Sequence, residues 1–238
     1  MAGGNETARL RYENLTLGSL SFASGCIDVL SFLGLGEVFT SAMTGNTALL
    51  AIAIGQGRVL AASRSVCSLL GFSVGVMLAA LLYAPWSARP NPRRSLTRIL
   101  LLETAFLGAC TALWAAGPQS LQGAAVYAVI GLASLSMGIQ AVGARSINSS
   151  GISTIVFTSG LIHIVMSATG RIAARGAVMK APSDHGHLLA FAAYGAGALV
   201  AAVVMPHYLA LLVWIPVTAV LLALACSMRT DRLEPDAA

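Results

Sequence analysis

Eight apolar stretches of roughly helical length follow one another along this chain, at 15–36, 38–57, 64–86, 98–116, 121–143, 152–169, 188–205 and 207–227, with only short polar joints between them. About 20 helical residues cross the ~30 Å hydrocarbon core of a bilayer. A chain in hydrocarbon must also satisfy its backbone N–H and C=O groups internally. The pattern therefore restricts the chain to an all-α, polytopic membrane helical bundle. Only 10% of its residues are charged, against ~25% in an ordinary soluble domain.

The domain plan is correspondingly simple. Residues 1–14 and 228–238 are short polar ends, expected in the cytoplasm, and 15–227 forms a single transmembrane domain. The first run is too long for the apolar core of a signal peptide and holds Asp28, so it is read as a retained helix. The net charge of +5 comes from arginines and one lysine in the joints, where membrane orientation places them. The partner this implies is the lipid bilayer, not nucleic acid. Cys26, Cys67, Cys110 and Cys226 lie in apolar runs without zinc or disulfide spacing, and read as small buried side chains.

Two runs are irregular. The second opens with Thr40-Ser41-Ala42-Met43-Thr44-Gly45-Asn46-Thr47 and the sixth with Ser153-Thr154-Ile155-Val156-Phe157-Thr158-Ser159-Gly160. Their purely apolar parts cover only roughly 9–12 Å at 1.5 Å per residue. Hydroxyls and amides at such a depth are stable when buried in protein or lining a wet cavity.

Loop charges test whether these runs cross. With eight crossings and a cytoplasmic N-terminus, the 14 basic residues divide nine inside to five outside. If the second and sixth runs enter and return, only Arg58 and Arg64 fall outside and twelve remain inside. The second division fits the positive-inside rule better. The expectation is six crossings plus two short re-entrant or broken segments, both termini cytoplasmic, in a bacterial inner (plasma) membrane. The order of crossing, half-segment, crossing, crossing over 15–116 then recurs over 121–227. Three crossings per half make that an inverted internal repeat.

Gly25-x-x-Asp28, Phe39-Thr40-x-x-Met43-Thr44-Gly45-Asn46-Thr47, and Met137-Gly138-x-Gln140 followed by Thr154 and Thr158 resemble the YoaK family of multi-spanning membrane proteins. The resemblance spans roughly residues 15 to 227. Where family members tend to have Thr-Gly, this chain has Thr158-Ser159-Gly160. The resemblance implies a membrane protein of a domain of unknown function and supplies no substrate.

The polar residues inside apolar runs are the candidate site. Asp28 is the sharpest, because an unpaired charge there costs at least ~2.5–3.5 kcal/mol. It reads either as a proton or cation site or as a structural pair, for instance with Arg145. Thr40, Thr44, Gly45, Asn46 and Thr47 are candidates to line a substrate pathway, with Gln140, Thr154, Thr158 and Ser159 as counterparts. His163 and Glu103 are candidate proton relays. Glu103, about one turn into the fourth run and near Arg98, reads more readily as a helix-terminus carboxylate. Glu37 reads as a solvated residue near the outer interface. Gly71-x-x-x-Gly75 is a small-residue face that suits either a homo-oligomer contact or packing within one chain.

No enzyme constellation, metal cluster or cofactor motif is recognisable. The function expected is transport or channel-like permeation of a small polar or anionic solute bound at the midplane, with Asp28 coupling protons or orienting substrate. The alternative is a non-transporting scaffold whose intramembrane polar residues hold helices together.

Overall fold

The computed structural model describes residues 2–87, 93–117, 123–147, 161, 162, 165, 169 and 185–233. These contain seven helices and no strand: α1 (Ala2–Gly34), α2 (Met43–Gly55), α3 (Val59–Ser87), α4 (Arg93–Ala116), α5 (Ala124–Ile147), α6 (His185–Leu212) and α7 (Ile215–Leu233). Five contain stretches long and apolar enough to cross a membrane: Asn5–Gly34, Val59–Leu82, Leu96–Ala116, Ala124–Arg145 and Gly186–Leu212. The polytopic helical bundle expected from the apolar runs is what forms.

The last two runs divide differently from expectation. Pro206 lies inside α6, and Tyr208 just beyond it has non-helical φ/ψ. Proline removes a backbone donor and crowds the preceding turn, which kinks a helix without ending it. The helix continues to Leu212, and α7 starts only at Ile215. Arg229, Asp231 and Arg232 occupy the last turns of α7. That helix nevertheless runs back along α4: Thr97 meets Ser227 at 2.8 Å at one end, and Thr111 donates to the Val213 carbonyl at 3.2 Å at the other.

The relative directions of the helices settle the topology of the first half. Eight crossings would make α1 and α5 parallel; Gln140 reaches the Leu20 carbonyl at 3.1 Å and Ser24 meets Met137 at 3.8 Å, which makes them antiparallel. The segment between α1 and α3 also leaves by the end at which it enters. Glu37, just after α1, forms an ion pair of 3.2 Å with Arg58, just before α3. The second run is therefore re-entrant. The sixth run, 152–169, lies almost wholly outside the described residues.

Close backbone packing joins the helices in two parallel pairs. In α1 and α6, Gly18 faces Leu189 and Gly34 faces Met205. A Cβ at Gly25 would overlap the Tyr194 carbonyl oxygen, and one at Gly197 that of Phe22. In α3 and α5, Ser63 meets Tyr127 and Ser68 meets Ser134. A Cβ at Gly75 would overlap the Leu135 carbonyl oxygen, and one at Gly138 that of Phe72. Small residues thus let backbones touch where lipid supplies no hydrophobic drive. Gly71 and Gly75 are used within the chain, against α5.

The core lies between these pairs. Leu20, Ile27 and Leu30 of α1, Leu100 and Leu107 of α4, Ile130 and Met137 of α5, and Val220 of α7 are buried in it. Cys26, Cys110 and Cys226 are buried and Cys67 partly so, all as free thiols.

Candidate functional site

The site is built around a break in the helical ladder. Gly36 and Glu37 adopt left-handed φ values of 87° and 61°. The Glu37 N–H bonds the Phe32 carbonyl at 2.9 Å, which closes α1. The chain then turns back beside the helix it has just left. Residues 38–42 are not helical, and α2 begins only at Met43. Its 13 residues span ~20 Å, and Asp28 lies six residues before the end of α1, ~9 Å into the bundle.

Asp28 receives the broken backbone. Its Oδ1 accepts the Thr40 N–H at 2.8 Å, the Thr40 hydroxyl at 3.1 Å and the Ser41 N–H at 2.7 Å. Its Oδ2 accepts the Ser41 hydroxyl at 2.6 Å and the Tyr194 hydroxyl of α6 at 2.9 Å. Asp28, Thr40 and Ser41 are all buried. Five donors meet about four lone-pair sites, so the carboxylate is saturated by the protein itself. Arg145, the ion-pair partner considered from sequence, is exposed. Backbone amides that no helix satisfies find their acceptor in Asp28 instead.

Asn46 performs the complementary task. Its Oδ1 accepts the Phe39 N–H at 2.9 Å, and its Nδ2 donates to the Phe39 carbonyl at 2.7 Å. The side-chain amide replaces the missing backbone partner of Phe39 on both sides. Nδ2 also reaches the Ser68 hydroxyl of α3 at 2.9 Å, and Ser68 meets Ser134 of α5 at 2.8 Å. The Phe39 ring lies over Gly45, where a Cβ would come 3.0 Å from its edge, and stacks on Phe32 at 4.9 Å.

The other residues singled out from sequence fall into three groups. Thr40 joins Asp28, whereas Thr44 and Thr47 are exposed on α2 and Thr47 only returns its hydroxyl to the Met43 carbonyl at 2.9 Å. Gln140 of α5 donates to the Leu20 carbonyl at 3.1 Å and to Ser24 at 2.7 Å, so it grips α1 one turn before Asp28. Thr154, Thr158, Ser159 and His163 lie outside the described residues.

Glu103 requires a correction. It sits ten residues beyond the start of α4, not one turn, because the helix begins at Arg93 directly after the proline-containing joint. It is fully buried, and neither carboxyl oxygen has a hydrogen-bond partner. Arg98 is exposed and does not cap it. Ser21 of α1 is likewise buried with an unpartnered hydroxyl.

Sequence reasoning missed Tyr194, Ser68 and Ser134, and placed Ser41 only within the polar run. A signal for them existed. Ser68 lies one turn before Gly71, on a small-residue face, and Tyr194 adjoins Gly195 and Gly197. A polar side chain beside such a face is held against a neighbouring backbone.

Residues 16–226 match the family model described as a protein of unknown function, DUF1275. The chain belongs to the DUF1275 family. Within it, the UPF0700 transmembrane protein YoaK of Bacillus subtilis (strain 168) is 32% identical over 216 residues, which cover 87% of this chain and 90% of that protein. No solved structure matches. The DUF1275 match contains both the Asp28 and the Asn46 centres, and the relative is itself described as a transmembrane protein. This chain is accordingly a multi-pass membrane protein of that family.

Proposed function

We propose that this DUF1275 protein is a transporter or channel-like permease for a small polar or anionic solute, and that the re-entrant segment 38–57 forms part of its pathway. The observation that carries this reading is the burial of a non-helical break, at residues 38–42, beside Asp28 inside the bundle. Irregular backbone at membrane depth is kept where it lines or closes a route through protein. In this reading Asp28 and Asn46 are positioning residues that hold the segment, and the buried Glu103 is the group available for exchange of a proton.

The reading includes an inverted repeat of 15–116 and 121–227. Phe22 and Gly25 of α1 meet Gly197 and Tyr194 of α6 as Leu135 and Gly138 of α5 meet Gly75 and Phe72 of α3. The three-residue spacings are the same, and the first apolar run of each half pairs with the third run of the other. Both termini are placed in the cytoplasm and the membrane is taken as the bacterial inner membrane, following the arginine distribution.

One observation favours the scaffold alternative: every acceptor site on Asp28 is filled from within the chain. Liposome swelling separates the two. Proteoliposomes are challenged with a series of small neutral solutes and small organic anions. Flux above protein-free vesicles for at least one solute supports a permease; none for any solute leaves the scaffold reading.

A further inference from the structure

Twelve of the fourteen basic residues are assigned to one side of the membrane by the re-entrant topology, and the remaining two, Arg58 and Arg64, converge on one pocket. The pocket has a volume of about 580 Å³ and sits at the mouth of the re-entrant segment, where α1 ends and α3 begins. Gly36, Glu37, Gly57, Arg58, Ala61 and Arg64 form its walls. Arg58 is engaged by Glu37 at 3.2 Å, with both side chains about half exposed. Among the described residues no ion pair engages Arg64, and its Nε is buried without a hydrogen-bond partner. The guanidinium lies against the backbone of Gly36, where any Cβ would collide with Nη1. The left-handed φ of Gly36 and the absence of its side chain together make that seat.

A cation held in place without an anion, beside a second cation on a weak exposed pair, is an incomplete oxyanion site. We propose that this pocket is a vestibule that binds a small oxyanion, a carboxylate or a phosphate, with Arg64 as its anchor and Arg58 as a second donor freed from Glu37. Guanidinium suits this chemistry because its planar fork matches two oxygens at once. The two arginines bring a net positive charge to the end of the bundle that otherwise has none, and so attract anions toward the mouth of the segment. The proposal deepens the permease reading by naming an anionic solute, and binding is measurable without flux, so the two can fail separately.

The test uses the full chain in nanodiscs of phosphatidylcholine with inorganic phosphate as the probe. Arginines are modified with phenylglyoxal and read residue by residue by mass spectrometry. Phosphate is expected to slow modification of Arg64 while Arg11, at the other end of α1, is unaffected. In Arg64→Gln the phosphate concentration that protects Arg58 should rise about tenfold or more, the loss expected for one charge-assisted contact. Arg64→Lys should recover only part of it, because a point charge replaces the fork. Absence of protection at Arg64 in the wild-type protein overturns the proposal, whether or not the variants fold. Protection by phosphatidylglycerol nanodiscs alone, with none by free phosphate, gives the oxyanion to a lipid headgroup and also overturns the vestibule.

Discussion

The Oδ1 of Asp28 accepts the backbone N–H of Ser41 at 2.7 Å, across thirteen residues of sequence and a reversal of chain direction. The contact joins the last third of α1 to the innermost part of the re-entrant segment. It turns a carboxylate that is costly in hydrocarbon into the acceptor for amides that would otherwise be equally costly.

Removing that acceptor should release the segment. Asp28→Ala is expected to lower stability by about 3–5 kcal/mol, the cost of stranding buried donors from a charged partner. Tyr194→Phe removes a single donor and should cost about 1–2 kcal/mol. Denaturant or thermal unfolding in detergent measures both. Equal effects for the two variants would mean that Asp28 does not hold Thr40 and Ser41.

Asn46 offers a sharper chemical test. Asn46→Asp keeps the acceptor for the Phe39 N–H but loses the donor to the Phe39 carbonyl and to Ser68. It should destabilise by about 2–3 kcal/mol despite being nearly isosteric. A variant as stable as the parent chain would contradict the two-sided pairing.

Glu103 should behave in the opposite way. Its carboxyl oxygens have no partner to lose, so Glu103→Gln and Glu103→Met are expected to leave unfolding unchanged or raise stability slightly. If proteoliposome flux is found, these same variants should abolish its response to a pH gradient. Retention of that response excludes Glu103 as the exchanging group.

The helix pairs are tested by adding a methyl group. Gly25→Ala and Gly75→Ala each drive a Cβ into a facing carbonyl oxygen, with an expected cost of about 1–3 kcal/mol. Gly55→Ala meets nothing within 4 Å and serves as the control in the same unfolding experiment. Equal stability in all three would refute the close approach.

Topology is read by single cysteines in a background without native ones. Glu37→Cys and Arg58→Cys should both react with an impermeant maleimide from one side, and Arg93→Cys from the other. Labelling of the first two from opposite sides would require the second run to cross.

Much of this was legible in the sequence, because hydropathy and charge act locally. Eight apolar runs required a helical membrane bundle, and the arginines preferred a returning second segment, which the Glu37–Arg58 pair bears out. Asp28 and Asn46 stood out because amides and carboxylates are rare at such depth. The boundary near Pro206 was misplaced because proline marks both kinks and ends, and only the packing of α6 and α7 chooses between them.

Which groups meet was decided by tertiary structure. Asp28 read equally as a titrating site or a pair for Arg145, and its five donors came from a loop twelve residues later and from a tyrosine 166 residues away. Glu103 read as a helix-end carboxylate until packing buried it three turns into α4. A sequence states what each residue can exchange with water, lipid or another residue. Which exchange occurs depends on the distances between helices, and in this chain glycines such as Gly25 and Gly75 set those distances by allowing backbones to touch.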